Sequence, residues 1–278
     1  MISVIIPTYN REKTIVNSVK SVLNQTYKDI EIIIVDDNST DNTFEVIREL
    51  NDNRIKYIKL EKNYGACGAR NIGIERSIGE LIAFQDSDDI WHEDKLEKQI
   101  KFLTNTNSDV VACAFNFFSN NRVQIKPSRQ IDNVEYDDII RENFISTQTI
   151  LGKRRCFIED NFDVNMPRFQ DWELVIRLCK KWNINFQAEP LVDVYLQDDS
   201  ISKNNLNAIE ALKLIIEKNN KFFEKNKKML SYYYRRMAEF AIKDNLDFKK
   251  FYIEAIKIDP LNIKNIGKFI KVVLLKRE

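Results

Sequence analysis

The chain has 278 residues, 44% of them hydrophobic, which is enough for a large α/β domain with or without an appendage and excludes a disordered chain. Its formal net charge of +1 hides an asymmetry, because residues 204–278 carry 17 Lys and Arg against 9 Asp and Glu, whereas residues 1–203 carry 26 against 33. The two parts are therefore expected to face different partners, and the basic part suits an anionic membrane surface or another polyanion.

Cysteine and histidine usage excludes several other classes of protein. The four cysteines are widely spread with no CxxC pair, which argues against a disulfide framework or a zinc site and fits a reducing cytoplasm. The single histidine, His92, rules out multi-histidine metal sites, and we expect it to be an exposed residue at a helix entry. No apolar run approaches roughly 18 residues and no signal peptide is evident, so we expect a protein that is neither secreted nor membrane-spanning.

The first 85 residues alternate between β-branched apolar runs and helical patterns. This order predicts an α/β fold with a mainly parallel, doubly wound sheet and helices on both faces. Ligands of such sheets bind beyond the carboxyl ends of the strands, so the polar residues after three of the strands are expected to converge. The predicted strands are 3–6, 30–35, 55–60 and 81–85, and the predicted helices are 15–23, 43–50 and 66–77.

An acidic run, Asp86-Ser87-Asp88-Asp89, follows the fourth predicted strand. Carboxylates this close repel one another unless a cation or hydrogen bonds offset their charge. The Asp-x-Asp spacing suits Mg²⁺ or Mn²⁺ that also holds substrate phosphates. The other interpretation is a helix N-cap, supplied by Asp89 or Asp94 to a helix over 95–103.

The glycines of the third helical pattern do not indicate a phosphate cradle. Gly65, Gly68 and Gly73 form no G-x-G-x-x-G, and no G-x-x-x-x-G-K-[ST] is present. Phosphate binding would then depend on a metal ion and on side chains such as Arg70. Alternatively, Arg70 is a solvated helix residue, and Gly65 and Gly68 allow close packing at a helix N-terminus.

Four motifs in order resemble those of family 2 glycosyltransferases with the GT-A fold. The resemblance covers residues 1–203 and implies inverting transfer of a sugar from a nucleotide-diphosphate sugar, most often a UDP-sugar. The motifs are Val4-Ile5-Ile6-Pro7-Thr8-Tyr9-Asn10-Arg11, Val35-Asp36-Asp37-Asn38-Ser39-Thr40-Asp41, Gly68-Ala69-Arg70-Asn71-Ile72-Gly73-Ile74 and Asp86-Ser87-Asp88-Asp89.

The resemblance also implies site residues. Asp88 is the implied ligand of Mn²⁺ or Mg²⁺, and Asp86 is an implied contact to the nucleotide sugar and a further candidate metal ligand. A carboxylate at Asp37 can accept the N3–H of uracil, while Tyr9 can stack on the base. The residues implied to line the nucleotide are Pro7, Thr8, Tyr9, Asp37, Asn63 and Arg70.

The acceptor side is predicted from residues 104–203. A strand is expected at 110–118, and the polar excursion 120–138 would shape the acceptor site. Asp171 begins a helical stripe, and we interpret it as the general base, although a helix N-cap is the other interpretation. The family usually has Glu-Asp where this chain has Gln170-Asp171, so the base is retained and sugar preference is in question.

Residues 192–202 resemble the closing segment of the family but lack its arginine and histidine. Asp198 or Asp199 could replace that histidine as a metal ligand, and Asp198 is the residue we assign. Alternatively, the site relies on Asp88, the diphosphate and water.

The remaining residues, 204–278, are predicted to form a helical region appended to a catalytic domain of residues 1–203. Helices are expected near 205–226, 229–243, 248–258 and 262–276, packed on the catalytic domain or in a homo-oligomer contact. In the last helix Ile263, Ile266, Ile270 and Val273 are predicted to share one face, and three lysines share another. This basic amphipathic pattern fits core packing or docking on a membrane surface.

The sequence thus predicts a cytoplasmic, metal-dependent, inverting glycosyltransferase that uses a glycan or lipid-linked acceptor in bacterial surface-polysaccharide synthesis, at the inner face of the membrane if the last helix docks there. No nucleic-acid partner is expected. One alternative is a nucleotidyltransferase. Such an enzyme requires a glycine-rich basic loop after the first strand, and residues 7–11 contain no glycine. The other is a catalytically silent scaffold module, which Asp88 and Asp171 argue against.

Overall fold

The computed structural model describes residues 1–119, 122–129, 131, 133–195 and 204–275. By its internal contacts the chain divides into two compact units. Unit 1 comprises Met1–Val164 and Gln170–Gln197, and unit 2 comprises Asn165–Phe169 and Asp198–Glu278. The sheet belongs to unit 1, and a set of helices makes up most of unit 2.

The first half of unit 1 is a parallel sheet with strand order β3-β2-β1-β4. Each strand is followed by a polar loop, and helices join the first three strands to the next, as the alternating apolar pattern predicts. The strands are β1 (Ile2–Thr8), β2 (Ile30–Asp36), β3 (Ile55–Lys59) and β4 (Leu81–Phe84), and the helices are α1 (Ile15–Leu23), α2 (Thr43–Arg48) and α3 (Gly65–Arg76).

Both faces of this half are buried, which explains the unbroken apolar run of β2. Ile32 and Ile34 belong to a core cluster that contains Val19 of α1, whereas Ile33 and Val35 pack with Ala69 of α3. Successive side chains of a strand point to opposite faces, so helices cover the sheet on both sides. The predicted class, α/β with helices on both faces, is confirmed.

The second half of unit 1 extends the sheet with antiparallel pairs, which the sequence pattern did not predict. The strand order continues from β4 as β8-β6-β9-β5, with β7 pairing β6, and only β6 and β9 run parallel. The elements are β5 (Ile90–Trp91), α4 (Lys95–Asn105), β6 (Val110–Ser119), β7 (Arg122–Lys126), α5 (Tyr136–Arg141), a 3₁₀ helix (Thr147–Thr149), β8 (Leu151–Lys153), α6 (Arg154–Glu159), α7 (Gln170–Leu178) and β9 (Ile184–Tyr195).

Unit 2 is helical, as expected, but the first predicted helix is interrupted. Asn219 separates α8 from α9, and its backbone dihedral angles, φ −122° and ψ 29°, lie outside the helical range. Among the described residues, no helix is long and apolar enough to span a membrane. The helices are α8 (Asn205–Lys218), α9 (Asn220–Lys225), α10 (Lys227–Lys243), α11 (Lys249–Ile258) and α12 (Ile263–Leu275).

The apolar face predicted for the last helix is not the side that packs in the interior. The inward side of α12 is centred on buried Asn265, whose amide donates to the Ser231 hydroxyl at 2.7 Å, and Phe269 packs with Tyr252. Ile263 and Ile270 lie on the opposite side, 82% and 50% exposed. A polar residue therefore anchors the helix, and part of its apolar sequence faces outward.

Candidate active site

The carboxyl ends of the parallel strands bring the predicted nucleotide-binding residues together. Pro7 and Thr8 are the last residues of β1, and the amide of Asp37 donates to the carbonyl of Thr8 at 2.8 Å. The Thr8 hydroxyl is buried and has no hydrogen-bond partner among the described residues. Tyr9, the next residue, is 45% exposed. An unpaired buried hydroxyl next to an exposed aromatic ring is a suitable surface for a polar aromatic ligand.

Asp37 is buried and fixes the start of α3. Its Oδ1 accepts the backbone N–H of Tyr64 at 2.6 Å, and its Oδ2 accepts that of Gly65 at 2.8 Å. The side-chain oxygen of Asn63 accepts from the same Gly65 amide at 3.1 Å. Gly65 has φ +76°, a conformation that glycine adopts most readily. Asp37 and Asn63 thus shape one turn, and the predicted uracil contact of Asp37 stays a prediction.

Arg70, in the middle of α3, is buried, so the interpretation as a solvated helix residue is wrong. Its Nη2 lies 2.7 Å from Oδ1 of Asp86, and its Nη1 donates to Oε1 of Gln170 at 3.4 Å. Its Nε is buried without a partner in the described part of the chain. The guanidinium also lies 5.3 Å from the ring centroid of Phe162. Arg70 therefore joins the acidic run to the start of α7 and keeps one donor unused.

The acidic run lies in the turn between β4 and β5. Asp86 and Asp88 are half-buried, while Asp89 is buried and accepts the backbone N–H of Tyr195 at 3.2 Å. Burial, reinforced by the charges of Asp86 and Asp88, holds the pKa of Asp89 well above its usual range. The N-cap position of α4 is Asp94, which makes no side-chain capping hydrogen bond. Asp89 is therefore not a helix cap, and the run has no capping function.

The negative charges of these neighbouring carboxylates repel one another, and a divalent cation would offset that repulsion. Across the residues that the structure describes, no group of three or more His, Cys, Asp or Glu side chains is arranged to hold a metal ion. Mg²⁺ commonly takes only one or two protein carboxylates and completes its shell with phosphate and water. Asp86 and Asp88 could therefore hold such an ion only together with other oxygen ligands, and Asp198 lies outside the described residues.

Asp171 stands in the first turn of α7, one residue after Gln170. Its Oδ1 accepts the backbone N–H of Trp172 at 2.8 Å and the side-chain N–H of Asn143 at 3.2 Å. Burial raises the pKa of Asp171 to about 6, although these hydrogen bonds and the charge of Arg70 act in the opposite direction. A carboxylate with this pKa is ionised at neutral pH and still basic enough to take a proton.

Asp171 lines a cavity of about 510 Å³ that the sequence could not identify. Three aromatic side chains, Phe115, Phe117 and Phe144, form part of its wall. Its polar lining includes Lys126, Arg129, Glu142 and Asn143. The polar excursion predicted for the acceptor side supplies only part of this lining, and no local motif marks the remainder.

His92 differs from its expected environment, because it is half-buried and not exposed. Its Nε2 lies 2.9 Å from Oδ1 of Asp193, which also accepts the side-chain N–H of Asn116 at 2.8 Å. His92 thus links the segment after β5 to β9.

The four cysteines are all free, and three of them are buried.

The fold resembles that of a solved protein. The fragment of S. aureus TarS solved in complex with UDP-GlcNAc superposes with a TM-score of 0.72, at 21% identity over 97% of this chain and 80% of that chain. The sheet with its acidic turn and the helices on both faces is the GT-A fold of glycosyltransferases. The chain has this fold.

The family follows from the sequence comparisons. The model described as Glycosyl transferase family 2 matches residues 3–171, more than half of the chain. The chain belongs to glycosyl transferase family 2, which confirms the resemblance seen in its motifs.

Two curated relatives match most of their own length. The putative teichuronic acid biosynthesis glycosyltransferase TuaG of Bacillus subtilis is 35% identical over 75% of this chain and 84% of TuaG. The Escherichia coli UDP-Glc:alpha-D-GlcNAc-diphosphoundecaprenol beta-1,3-glucosyltransferase WfgD is 34% identical over 66% of this chain and 72% of WfgD. Both names describe sugar transfer, and the second describes a lipid-linked acceptor.

Proposed function

We propose that the protein transfers a sugar from a UDP-sugar to a hydroxyl group of a glycan or lipid-linked acceptor in surface-polysaccharide synthesis, with inversion at the anomeric carbon. The names of TuaG and WfgD support the pathway and the acceptor class. The UDP-GlcNAc complex of a protein with the same fold supports the donor class.

The observation that carries this proposal is a continuous set of contacts between the two halves of the site. Asp86 pairs with Arg70, Arg70 bonds Gln170, and Gln170 precedes Asp171. The acidic turn and the candidate base are therefore held in one arrangement, as a reaction between a diphosphate leaving group and an attacking hydroxyl requires.

On the donor side, we place the nucleoside between the end of β1 and the turn before α3. Pro7, Thr8 and Tyr9 would line one side, with the unpaired Thr8 hydroxyl available to the ligand. Asp37 and Asn63 would line the other, and each carboxylate oxygen of Asp37 retains acceptor capacity beyond its one backbone bond. Arg70 would offset diphosphate charge through its unused Nε–H, while Asp86 would contact the nucleotide sugar.

The chemical step needs a base and a stabilised leaving group. Asp171 takes the proton of the acceptor hydroxyl while that oxygen forms a bond to the anomeric carbon. The bond from this carbon to the diphosphate oxygen breaks, and its electron pair leaves with UDP. Attack from the face opposite to the diphosphate inverts the configuration.

A divalent ion, Mn²⁺ or Mg²⁺, belongs to the proposal because of the donor set at the acidic turn. Asp88 would hold it, and Asp86 would contribute its oxygen that does not face Arg70. When bound, the ion neutralises charge that develops on the leaving diphosphate. Asp198 remains a predicted ligand.

The proposal is tested by incubating the protein with Mn²⁺ and a panel of UDP- and GDP-sugars, with an alkyl-diphosphate-linked N-acetylglucosamine as acceptor. Release of UDP and formation of a glycosylated product are expected with at least one UDP-sugar. Turnover of GDP-sugars alone would contradict the assignment of uracil. Absence of turnover with the whole panel would contradict the proposed function.

We also propose that α12 docks on the anionic inner surface of a membrane. Its outward side carries Ile263, Ile270 and Leu274, and Leu274 is 59% exposed. Lys264 and Lys271 are exposed on the same helix. An apolar stripe beside lysines matches the chemistry of an interfacial helix. The location at the inner face of the membrane follows from this proposal.

Substitutions on the outward side of α12 test the docking. Deleting the helix would remove Asn265, which is bonded to Ser231, and would disturb unit 2. The charge reversals Lys264→Glu with Lys271→Glu are expected to reduce binding to phosphatidylglycerol vesicles at least tenfold, since each cation near the surface contributes about 1 kcal/mol. Ile78→Ser, which replaces an exposed isoleucine of unit 1, is the control and should bind as the wild type does. Equal binding of all three proteins, or none, would refute membrane docking.

Two further predictions stay proposals. The first is a catalytic domain of residues 1–203 followed by a helical region of residues 204–278. The second is that the helices of unit 2 form the contact between copies of the chain in a homo-oligomer. Light scattering of the purified protein would measure its oligomeric state.

A further inference from the structure

Asn143 lies between α5 and the 3₁₀ helix, in the wall of the cavity that also contains Asp171. Its side-chain N–H donates to Oδ1 of Asp171 at 3.2 Å. Its side-chain oxygen is buried and, within the described residues, has no hydrogen-bond partner. One end of the amide thus holds the candidate base, and the other end is left unsatisfied.

An unsatisfied buried oxygen needs an explanation, because leaving such a group without a partner costs about 1–3 kcal/mol. No residue in the described part of the chain is its partner, and Asn143 lines the cavity, so a ligand in the cavity is the partner that we consider. The cavity is large enough for a sugar ring, and its aromatic wall suits the apolar face of such a ring. The donor missing from Asn143 is then a hydroxyl of the acceptor.

We infer that Asn143 is a positioning and acceptor-binding residue: its N–H orients the Asp171 carboxylate, and its oxygen accepts a hydrogen bond from the acceptor hydroxyl next to the one that attacks. This inference rests on the proposed function and extends it to the acceptor. The substrate class that it defines is a sugar ring with two neighbouring free hydroxyl groups.

The charges around Asp171 make a neutral amide suitable here. The charge of Arg70 lowers the pKa of Asp171, and the charge of Asp86 raises it. Lys126, Arg129 and Glu142 line the same cavity as Asp171. A second carboxylate beside the base would raise the pKa of the base further, whereas an amide can donate to it without adding charge. An amide also offers a donor and an acceptor within one group.

Two variants separate the two roles. Asn143→Ala loses both hydrogen bonds, so we expect acceptor affinity to fall at least tenfold and the acidic limb of the kcat/KM profile to move to higher pH. Asn143→Asp keeps an acceptor oxygen but loses the N–H and adds a like charge. We expect acceptor affinity within about threefold of wild type and a larger upward movement of the acidic limb. Asn53→Ala, at an exposed asparagine before β3 and outside the cavity wall, is the control and should leave both quantities unchanged.

Acceptor affinity is measured by titration calorimetry with the alkyl-diphosphate-linked N-acetylglucosamine and with analogues that each lack one ring hydroxyl. One of these analogues should bind wild type and Asn143→Ala equally well, because the contact is already missing. An equal penalty of Asn143→Ala with every analogue, or no binding of the parent sugar to wild type, would overturn the acceptor contact.

The positioning role has its own readout, the pKa of Asp171 followed by carboxyl NMR in wild type and Asn143→Ala. An upward movement is expected, and an unchanged pKa would overturn this role. Neither measurement needs turnover, so an inactive wild type would refute the proposed function without deciding the fate of Asn143.

Discussion

Replacing Asp171 by Asn is expected to lower kcat for sugar transfer by about 10²- to 10⁴-fold, the range of a general base, while UDP still binds. The amide keeps the shape of the carboxyl group but cannot take the proton of an acceptor hydroxyl. The rate of UDP release in the presence of acceptor measures the loss, and UDP-induced thermal protection shows that the donor site is intact.

The pH dependence of the wild type should report the same group. Because the pKa of Asp171 is raised to about 6, kcat/KM is expected to fall tenfold per pH unit below pH 6 and to be level above it. The Asp171→Asn variant has no carboxyl group to titrate at this position, so this limb should be absent from its residual activity.

Asp171→Asn should lower activity but raise the thermal stability of the folded protein. A folded-state pKa above the unfolded value means that the protonated carboxyl favours the fold at low pH and that this contribution is lost as the pH rises through about 6. The Asp171 carboxyl has a pKa of 3.8 when free and of about 6 in the fold, and Asp171→Asn avoids its charge, so the melting temperature of the variant should exceed that of wild type most at pH 8, by less at pH 5 and not at all near pH 3. Such a gain in stability at the expense of activity is typical of catalytic residues.

Glu142→Gln is the matched control, since it makes the same chemical change in the wall of the same cavity. Glu142 is exposed, and its ion pair with Arg129 is 3.7 Å long, so its loss should change kcat less than threefold. If Glu142→Gln abolished turnover and Asp171→Asn did not, the base would be Glu142 and the assignment of Asp171 would be wrong.

The second large effect concerns the divalent ion. UDP is expected to raise the melting temperature by several degrees with Mn²⁺ or Mg²⁺ present and hardly at all with a chelator. Ligand that binds only the folded state stabilises it by about 2.7 kcal/mol at a hundredfold excess over Kd. Asp88→Asn should remove most of this protection and lower kcat at least 10²-fold, because charge on the leaving diphosphate is then less stabilised.

Asp94→Asn is the control for Asp88, as it removes a carboxylate six positions further along, outside the acidic turn. Asp94 pairs with Lys98 at the surface, and its loss should leave UDP protection intact. Equal protection by UDP with metal and with chelator would rule out the metal ion. Arg70 would then be the main group that offsets the diphosphate charge.

Much of the proposed donor side lies where the sequence predicted it, because its position in the fold depends on local patterns. The apolar run of β2 indicated a strand buried on both faces, and the strand order indicated that Thr8, Asp37 and Asp86 lie at the ends of neighbouring parallel strands. What the pattern could not provide was the environment of each side chain. Arg70 is buried and bonded to Gln170, a residue 100 positions away in the chain, and no local signal encodes that contact.

The C-terminal region gives a second example. Apolar periodicity identified α12 as amphipathic but left open whether Ile263 and Ile270 occupy a buried place or face outward. Asn265 takes that place because Ser231 of α10 offers it a partner at 2.7 Å. A buried hydrogen bond to another helix can outweigh hydrophobic periodicity, since leaving these polar groups unpaired would cost more than exposing an isoleucine.

The sequence by itself determined the class of this protein: the α/β order, the acidic turn after β4 and the aspartate in the first turn of α7. These features follow from short-range periodicity and residue type. Only the tertiary structure decided the surroundings of Asp171, because its cavity is assembled from β6, β7, β9 and the segment after α5. Asn143, 28 positions before Asp171, becomes its partner only when those segments pack. The physical reason is that burial and hydrogen-bond partnership depend on contacts between distant parts of the chain, whereas periodicity reports only its local geometry.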